Sequence, residues 1–204
     1  FEEFRWALGD KATIPLLRKA FESKTALGDA VHRKLMRDIR LYMLVGGMPQ
    51  AVSAYIKTNN FMAVDRVKRD IITLYEEDFI KLDNSGRAKA MYNAIPAQLS
   101  RNTSRYQIGN AVPDEKIDRV INIIKDMEDS MTTNIAFHTD DPNIGLALTK
   151  NQEYFKMYTS DTGLFVTLAF MDSDVTENVI YEKLLSDKLS TNLGYVYENL
   201  IAQM

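Results

Sequence analysis

The chain has 204 residues, 46% of them hydrophobic and 26% charged, a balance that excludes disorder throughout and supplies enough apolar side chains for one or two cores. It has no cysteine, which excludes a disulfide framework and a thiolate metal site, and no apolar run approaches the roughly 18 residues of a membrane helix. The net charge of -3 divides unevenly: residues 1–110 carry 18 Lys+Arg against 12 Asp+Glu, and residues 111–204 carry 7 against 16, so an acidic partner such as a nucleic acid is directed to the first half.

The opening stretch, Phe1 to Asp10, lacks a basic segment followed by an apolar one, so no export signal is expected and the cytoplasm is the expected compartment. The chain starts on Phe1 in mid-pattern and stops on Met204 within an amphipathic run, as a fragment of a longer protein would.

The first 82 residues have apolar positions recurring at three and four, the period of helices. Phe1, Phe4 and Leu8 form one short stripe; Ile14, Leu17 and Phe21 form a second, with Pro15 tolerated near a helix start. A longer helix over about 27–45 is buried through Leu27, Val31, Leu35, Ile39 and Tyr42, and Gly46-Gly47 ends it. Pro49 opens a helix carrying Val52, Tyr55 and Ile56; after Asn59-Asn60, a helix over 61–82 presents Val64, Val67, Ile71, Leu74 and Tyr75 to a core.

Asp83 to Gly86 is a loop, with Ser85 as N-cap of a helix carrying Ala88, Met91, Tyr92 and Ile95 that Pro96 kinks or ends. Pro113-Asp114-Glu115 signals another helix start, followed by Ile117, Val120, Ile121, Ile124 and Met127 at helical spacing. Thr132 to His138 alternates as a strand, a polar loop containing Asp141-Pro142-Asn143 runs to Gln152, and Tyr154 to Tyr158 supplies a second strand. Three short helices are expected last, around 164–170, 175–185 and from Leu193 onward.

The expected fold is therefore mainly α with a small β-hairpin. It divides into a helical, lid-like subdomain (1–82), a winged-helix-like subdomain with the hairpin loop as wing (83–171), and helices leading into a truncated domain (172–204).

Several segments in this order resemble a known family. They are Phe1-Glu2-Glu3-Phe4-Arg5-Trp6-Ala7-Leu8-Gly9, Leu44-Val45-Gly46-Gly47-Met48-Pro49-Gln50-Ala51-Val52, Tyr75-Glu76-Glu77-Asp78-Phe79, Ile95-Pro96-Ala97-Gln98-Leu99-Ser100, the stretch from Phe155 through Asp161-Thr162-Gly163-Leu164, and the closing Tyr197-Glu198-Asn199-Leu200-Ile201-Ala202-Gln203. Together they resemble the bacterial and archaeal AAA-type ATPases with a conserved, nuclease-like C-terminal domain of unknown function. The resemblance implies an ATPase core before this segment as its partner in cis, with ATP and magnesium bound by that core alone. This sequence has no G-x-x-x-x-G-K-[ST], so it supplies no phosphate cradle of its own. It departs from the family in Met127-Glu128-Asp129, which stand where a tryptophan-leucine neighbourhood is usual.

Duplex DNA read by a winged helix calls for a basic recognition helix. Here Asp114 to Asp129 holds six acids against Lys116, Arg119 and Lys125, and the wing offers Lys150 against Asp140 and Asp141. Better candidates for nucleic acid or nucleotide phosphates are Arg33, Lys34, Arg37 and Arg40, with positions 33, 37 and 40 on one helix face, and a second patch of Arg66, Lys68, Arg69, Arg87 and Lys89.

Glu198 alone has an enzymatic reading, because the resemblance makes it the helical acid of a nuclease-like fold whose other carboxylates and lysine would lie beyond Met204. His32 and His138 read as structural, Ser160 or Asp161 as a helix cap, and Gly46-Gly47-Met48-Pro49 as a corner between helices. The expected function is non-catalytic coupling, with a winged helix that contacts DNA or protein; a pure protein adaptor and part of a metal-dependent nuclease are the alternatives.

Overall fold

The computed structural model describes residues 1–101, 103–141, 143–172, 178–186 and 194–204. Pro142 of the expected turn, residues 175–177 of one expected helix and Leu193, where another was expected to begin, lie outside them.

The chain is mainly α with one two-stranded antiparallel hairpin. The helices before the hairpin are α1 (Glu2–Ala7), α2 (Thr13–Glu22), α3 (Asp29–Val45), α4 (Pro49–Thr58), α5 (Phe61–Leu82), α6 (Arg87–Ser100), α7 (Ile108–Ala111) and α8 (Ile117–Asp129). Strands β1 (Thr133–Thr139) and β2 (Lys150–Thr159) follow, then α9 (Thr162–Ala169), α10 (Asn178–Leu185) and α11 (Gly194–Gln203). None of the described helices is long and apolar enough to cross a membrane.

Where expectation and structure part, local geometry gives the reason. Asp114 has a left-handed backbone, φ 63°, which no helix accommodates, so α8 begins at Ile117 rather than at the Pro113-Asp114-Glu115 signal. Ser85 does not cap α6. Gly86 occupies the N-cap in the left-handed conformation, and the Asp83 carboxylate accepts the Arg87 amide at 2.9 Å instead. Pro96 leaves α6 intact to Ser100. The short α7 was not anticipated, and β2 reaches back to Lys150, which shortens the wing loop.

One cluster of buried apolar residues runs from Phe4 to Leu200 and crosses the expected boundaries at 82 and 171. Helix α9 is buried along its whole length from Thr162 to Leu168 and packs on α3, α5, α6 and α11, so this late helix fills the middle of the helical body. Phe79, Tyr75 and Tyr92 add aromatic edge contacts, with the Phe79 and Tyr92 rings 5.0 Å apart. Five residues of the expected apolar stripes are exposed, Leu8, Leu17, Phe21, Ile56 and Leu74, with Phe21 at 85% and Leu74 at 57% the most so.

In the hairpin, β1 and β2 pair from Thr133 with Thr159 to Phe137 with Phe155; His138 then pairs with Asn151, so residues 152–154 bulge from β2. The bulge carries Tyr154 outward beneath the Arg105 guanidinium, 4.5 Å from the ring centre.

Candidate functional site

The polar residues that lie deepest meet where the α3–α4 corner, α5, α9 and α10 converge. Asp161 precedes α9 and accepts the Leu164 amide at 2.9 Å, as an N-cap does. Its other oxygen accepts the amide of Gly47 at 2.6 Å, so one carboxylate both starts α9 and holds the end of α3. Burial pushes the Asp161 carboxyl up, against the opposing pull of the Gly47 and Leu164 amides and of Lys68.

Small residues are required at this crossing. Gly46 has φ 85°, and a Cβ there would run into the Asp161 carboxylate; a Cβ on Gly163 would lie 2.6 Å from the Gly46 backbone.

Lys68 of α5 is fully buried below the crossing. Its ammonium donates to the carbonyls of Leu44 at 2.7 Å and Gly163 at 3.2 Å and to the Tyr181 hydroxyl at 3.1 Å. That hydroxyl donates in turn to Asp65 at 2.7 Å, which also accepts from Thr167 at 3.1 Å and from Arg69 at 2.7 Å. Burial pulls the Lys68 ammonium down to about 8, although Asp65 and Asp161 act the other way. Four helices are thereby joined through the buried charges of Asp65 and Lys68.

A second set of bonds brings α11 onto the same centre. Asn199, fully buried, accepts the Thr159 amide at 3.0 Å and donates to the Thr159 carbonyl at 3.2 Å. Gln203 accepts the Thr162 amide at 2.9 Å and donates to the Tyr42 hydroxyl at 2.9 Å. Burial pushes that Tyr42 hydroxyl up to about 12. Glu198, the proposed nuclease acid, accepts from Lys156 at 2.6 Å and Tyr158 at 2.9 Å, a tie between α11 and β2.

These distances decide where the candidate cations stand. Arg33, Lys34 and Arg37 are exposed on α3 and Arg40 is half-buried there. The second patch does not form a surface. Lys68 is buried in the centre and cannot reach a phosphate; Arg69 is held by Asp65 and by the Phe170 carbonyl at 3.1 Å; Arg87 is held by Asp83 at 3.2 Å, Lys89 by Glu76 at 3.1 Å, and Arg66 is exposed. An acid one turn away in sequence, or across the helix pair, neutralises most of what the charge count suggested. His32 and His138 lie apart, one exposed on α3 and the other 3.3 Å from Asp140.

Asp65, Thr167 and Tyr181 escaped the reading of the sequence, and Asn199 and Gln203 entered it only within the closing motif, with no contact assigned to them. One signal was present: Lys68 falls four residues after Val64 and three before Ile71, within the apolar stripe of α5, where a charge needs a buried partner. Among the described residues no group of three or more His, Asp or Glu is placed to hold a metal ion.

Residues 36–175 match the family model described as a domain of unknown function, DUF8612. The chain belongs to that family. The DUF8612 stretch contains Gly46, Gly47, Lys68, Asp161 and Gly163, and so both sides of the α3–α9 crossing; α1, α2, α10 with Tyr181, and α11 lie outside it. No curated protein and no solved structure matches the chain.

Proposed function

We propose that this chain is a non-catalytic binding and coupling segment of a larger cytoplasmic protein. The observation that carries the reading is the use made of its polar groups. Asp65, Lys68, Asp161 and Asn199 are buried and spent on one another or on backbone, Glu198, the one residue with an enzymatic reading, is spent on Lys156 and Tyr158, and the exposed features are contact surfaces.

One such surface is an apolar groove of about 300 Å³ between α1, the end of α3 and α4, lined by Phe1, Phe4, Tyr42, Val52 and Ile56. It abuts Gly47, and hence the Asp161 tie, so a body seated in it bears directly on the braced centre. The resemblance to AAA-type ATPases supplies the occupant: an ATPase core in cis, which would bind the ATP and magnesium. The test is ATP turnover by the full-length protein. With a core docked here, Ile56→Glu changes the rate while the melting temperature stays in place, because Ile56 is 49% exposed. A full-length protein without ATPase activity, or one whose rate ignores the substitution, overturns the reading.

A second reading, contact with nucleic-acid phosphates, is favoured by the exposure of Arg33, Lys34 and Arg37 along α3. The order α6, α7, α8, β1, β2 is that of a winged helix, but the exposed Asp118, Asp126 and Asp129 of α8 repel a duplex. Retention on duplex DNA at low salt that weakens steeply with added salt, and is lost in the Arg33→Glu/Lys34→Glu/Arg37→Glu variant, is the expected result. Wild-type protein that passes through at low salt excludes DNA and leaves the protein-binding reading.

A further inference from the structure

Helices α1 and α11 both lie outside the DUF8612 stretch, yet they meet on one side chain inside it, Tyr42 of α3. The Tyr42 ring is buried against α1: the Phe1 ring centre is 5.6 Å away in an edge-on arrangement, and the Phe4 ring centre is 5.3 Å away and tilted. Its hydroxyl accepts the side-chain amide of Gln203, 161 residues later on α11, at 2.9 Å. Apart from these rings, α1 is held to α3 by the ion pair of Arg5 with Asp38.

Gln203 uses its amide at both ends. The oxygen accepts the Thr162 amide at 2.9 Å and the Thr162 hydroxyl at 2.7 Å, at the first turn of α9, while the nitrogen goes to Tyr42. These groups converge over Gly47. A Cβ there would lie 3.2 Å from the Tyr42 hydroxyl, 3.4 Å from the Asp161 carboxylate and 3.8 Å from the Gln203 amide nitrogen. Tyr42, Gly47, Phe1 and Phe4 also line the groove between α1, α3 and α4. The wall of the groove and the tie of α11 are therefore two parts of the same tyrosine.

A phenol ring is rigid, so a change of tilt imposed by Phe1 and Phe4 is carried to the hydroxyl. A hydrogen bond of 2.9 Å is lost by about 3.5 Å, so a displacement of roughly 0.6 Å is enough to release Gln203. We propose that Tyr42 couples the groove to α11: displacing Phe1 and Phe4 from its ring loosens the Gln203 end of α11, and loosening α11 frees the ring on the groove side. The coupling is reciprocal, because each side changes the same equilibrium. The inference rests on the chain being a coupling segment and names the path by which a body in the groove is felt at α11.

A shared neighbour couples two elements only if its two contacts are non-additive, which a mutant cycle measures. Phe4→Leu keeps an apolar side chain and removes the ring beside Tyr42; Tyr42→Phe keeps the ring and removes the hydroxyl. Hydrogen exchange of the α11 amides reads local opening of that helix. With Tyr42 in place, Phe4→Leu is expected to speed this exchange about fivefold, the fold-change of one hydrogen bond. In the Tyr42→Phe background, where the bond is already gone, Phe4→Leu adds nothing further at α11. Phe1→Leu, at a half-buried position, gives the same comparison at less risk to the fold. In the reverse direction, Gln203→Leu shifts the Phe4 ring resonances in the chain with Tyr42 and not in Tyr42→Phe.

Exchange in α11 that ignores Phe4→Leu and Phe1→Leu overturns the coupling. So does a rise of equal size in both backgrounds, which is loosening of the whole chain. Either result beside an ATPase rate that responds to Ile56→Glu overturns this coupling and leaves the docking reading standing. A coupled Tyr42 in a protein whose ATPase rate ignores Ile56→Glu overturns the docking reading alone.

Discussion

Asp161 and Gly47 lie 114 residues apart and are joined by a hydrogen bond of 2.6 Å from the Gly47 amide to the Asp161 carboxylate. The same carboxylate caps α9, so the end of α3 and the start of α9 are set by one side chain. Backbones approach this closely only because Gly46 and Gly163 leave room, and the crossing then positions the Leu44 and Gly163 carbonyls where the Lys68 ammonium can serve both.

Gly163→Ala tests the crossing. Its methyl would meet the Gly46 backbone at 2.6 Å and the Val45 carbonyl at the same distance, and backbone cannot turn aside as a side chain can. A loss of about 2–3 kcal/mol is expected, as for overpacking in a closed core. Gly109→Ala, at a position with open space around it, is the control and should change little. Urea denaturation of both variants checks this; equal midpoints would show that α3 and α9 do not press together as described.

Lys68→Met should alter how stability depends on alkaline pH. The ammonium has a folded value of about 8 against an ordinary 10.5, so the folded chain releases this proton first. The cost of burying the charge is present below about pH 8 and is relieved as pH rises toward 10.5, so stability gains through that window, by up to roughly 3 kcal/mol from this group. The methionine variant lacks that gain, so the stability of wild type relative to the variant must rise above pH 8. Denaturation curves at several pH values measure it; parallel curves would place the titration elsewhere.

At the acid end, Asp83 is the group to vary. Burial alone would raise its carboxyl, but donors from Arg87 and Ser85 outweigh that and hold it well below the usual carboxylate range. Its contribution is therefore full above about pH 4 and lost as pH falls through the lowered folded value. Asp83→Asn should be less stable than wild type at pH 7 and nearly equal to it at the lowest pH where both remain folded. A pH titration followed by circular dichroism reads the convergence, and a constant gap would show that the Asp83 charge is not what holds Arg87.

How far the sequence shows this structure differs from residue to residue. Gly46-Gly47 as a helix corner and Asp161 as a cap follow from local chemistry, and the apolar periods of 61–82 and 117–127 lead directly to α5 and α8. That the corner and the cap meet does not follow, because nothing local links positions 114 residues apart. Periodicity also misplaced Leu74 and Phe21 in cores: it finds an apolar stripe but not whether a neighbour covers it. The basic patch of Arg66, Lys68, Arg69, Arg87 and Lys89 failed for a related reason. Charge counts take every cation as exposed, whereas Asp65, Asp83 and Glu76 claim three of these and the core claims Lys68.

Two adjacent residues of α11 separate a structural role for this helix from a chemical one. Asn199 is fully buried and uses both ends of its amide on Thr159, so Asn199→Ala leaves the Thr159 amide and carbonyl without partners in a dry place, at about 2–4 kcal/mol for the pair. Glu198 is about one-third exposed, and its bonds to Lys156 and Tyr158 are partly screened, so Glu198→Gln should cost about 1 kcal/mol or less. If α11 docks as described, urea midpoints fall far more for the asparagine variant, and 1 M salt reduces the small effect at Glu198 while leaving the large one in place. A reversed order would mean that the Glu198 carboxylate, rather than the Asn199 amide, anchors the helix to β2 and α9.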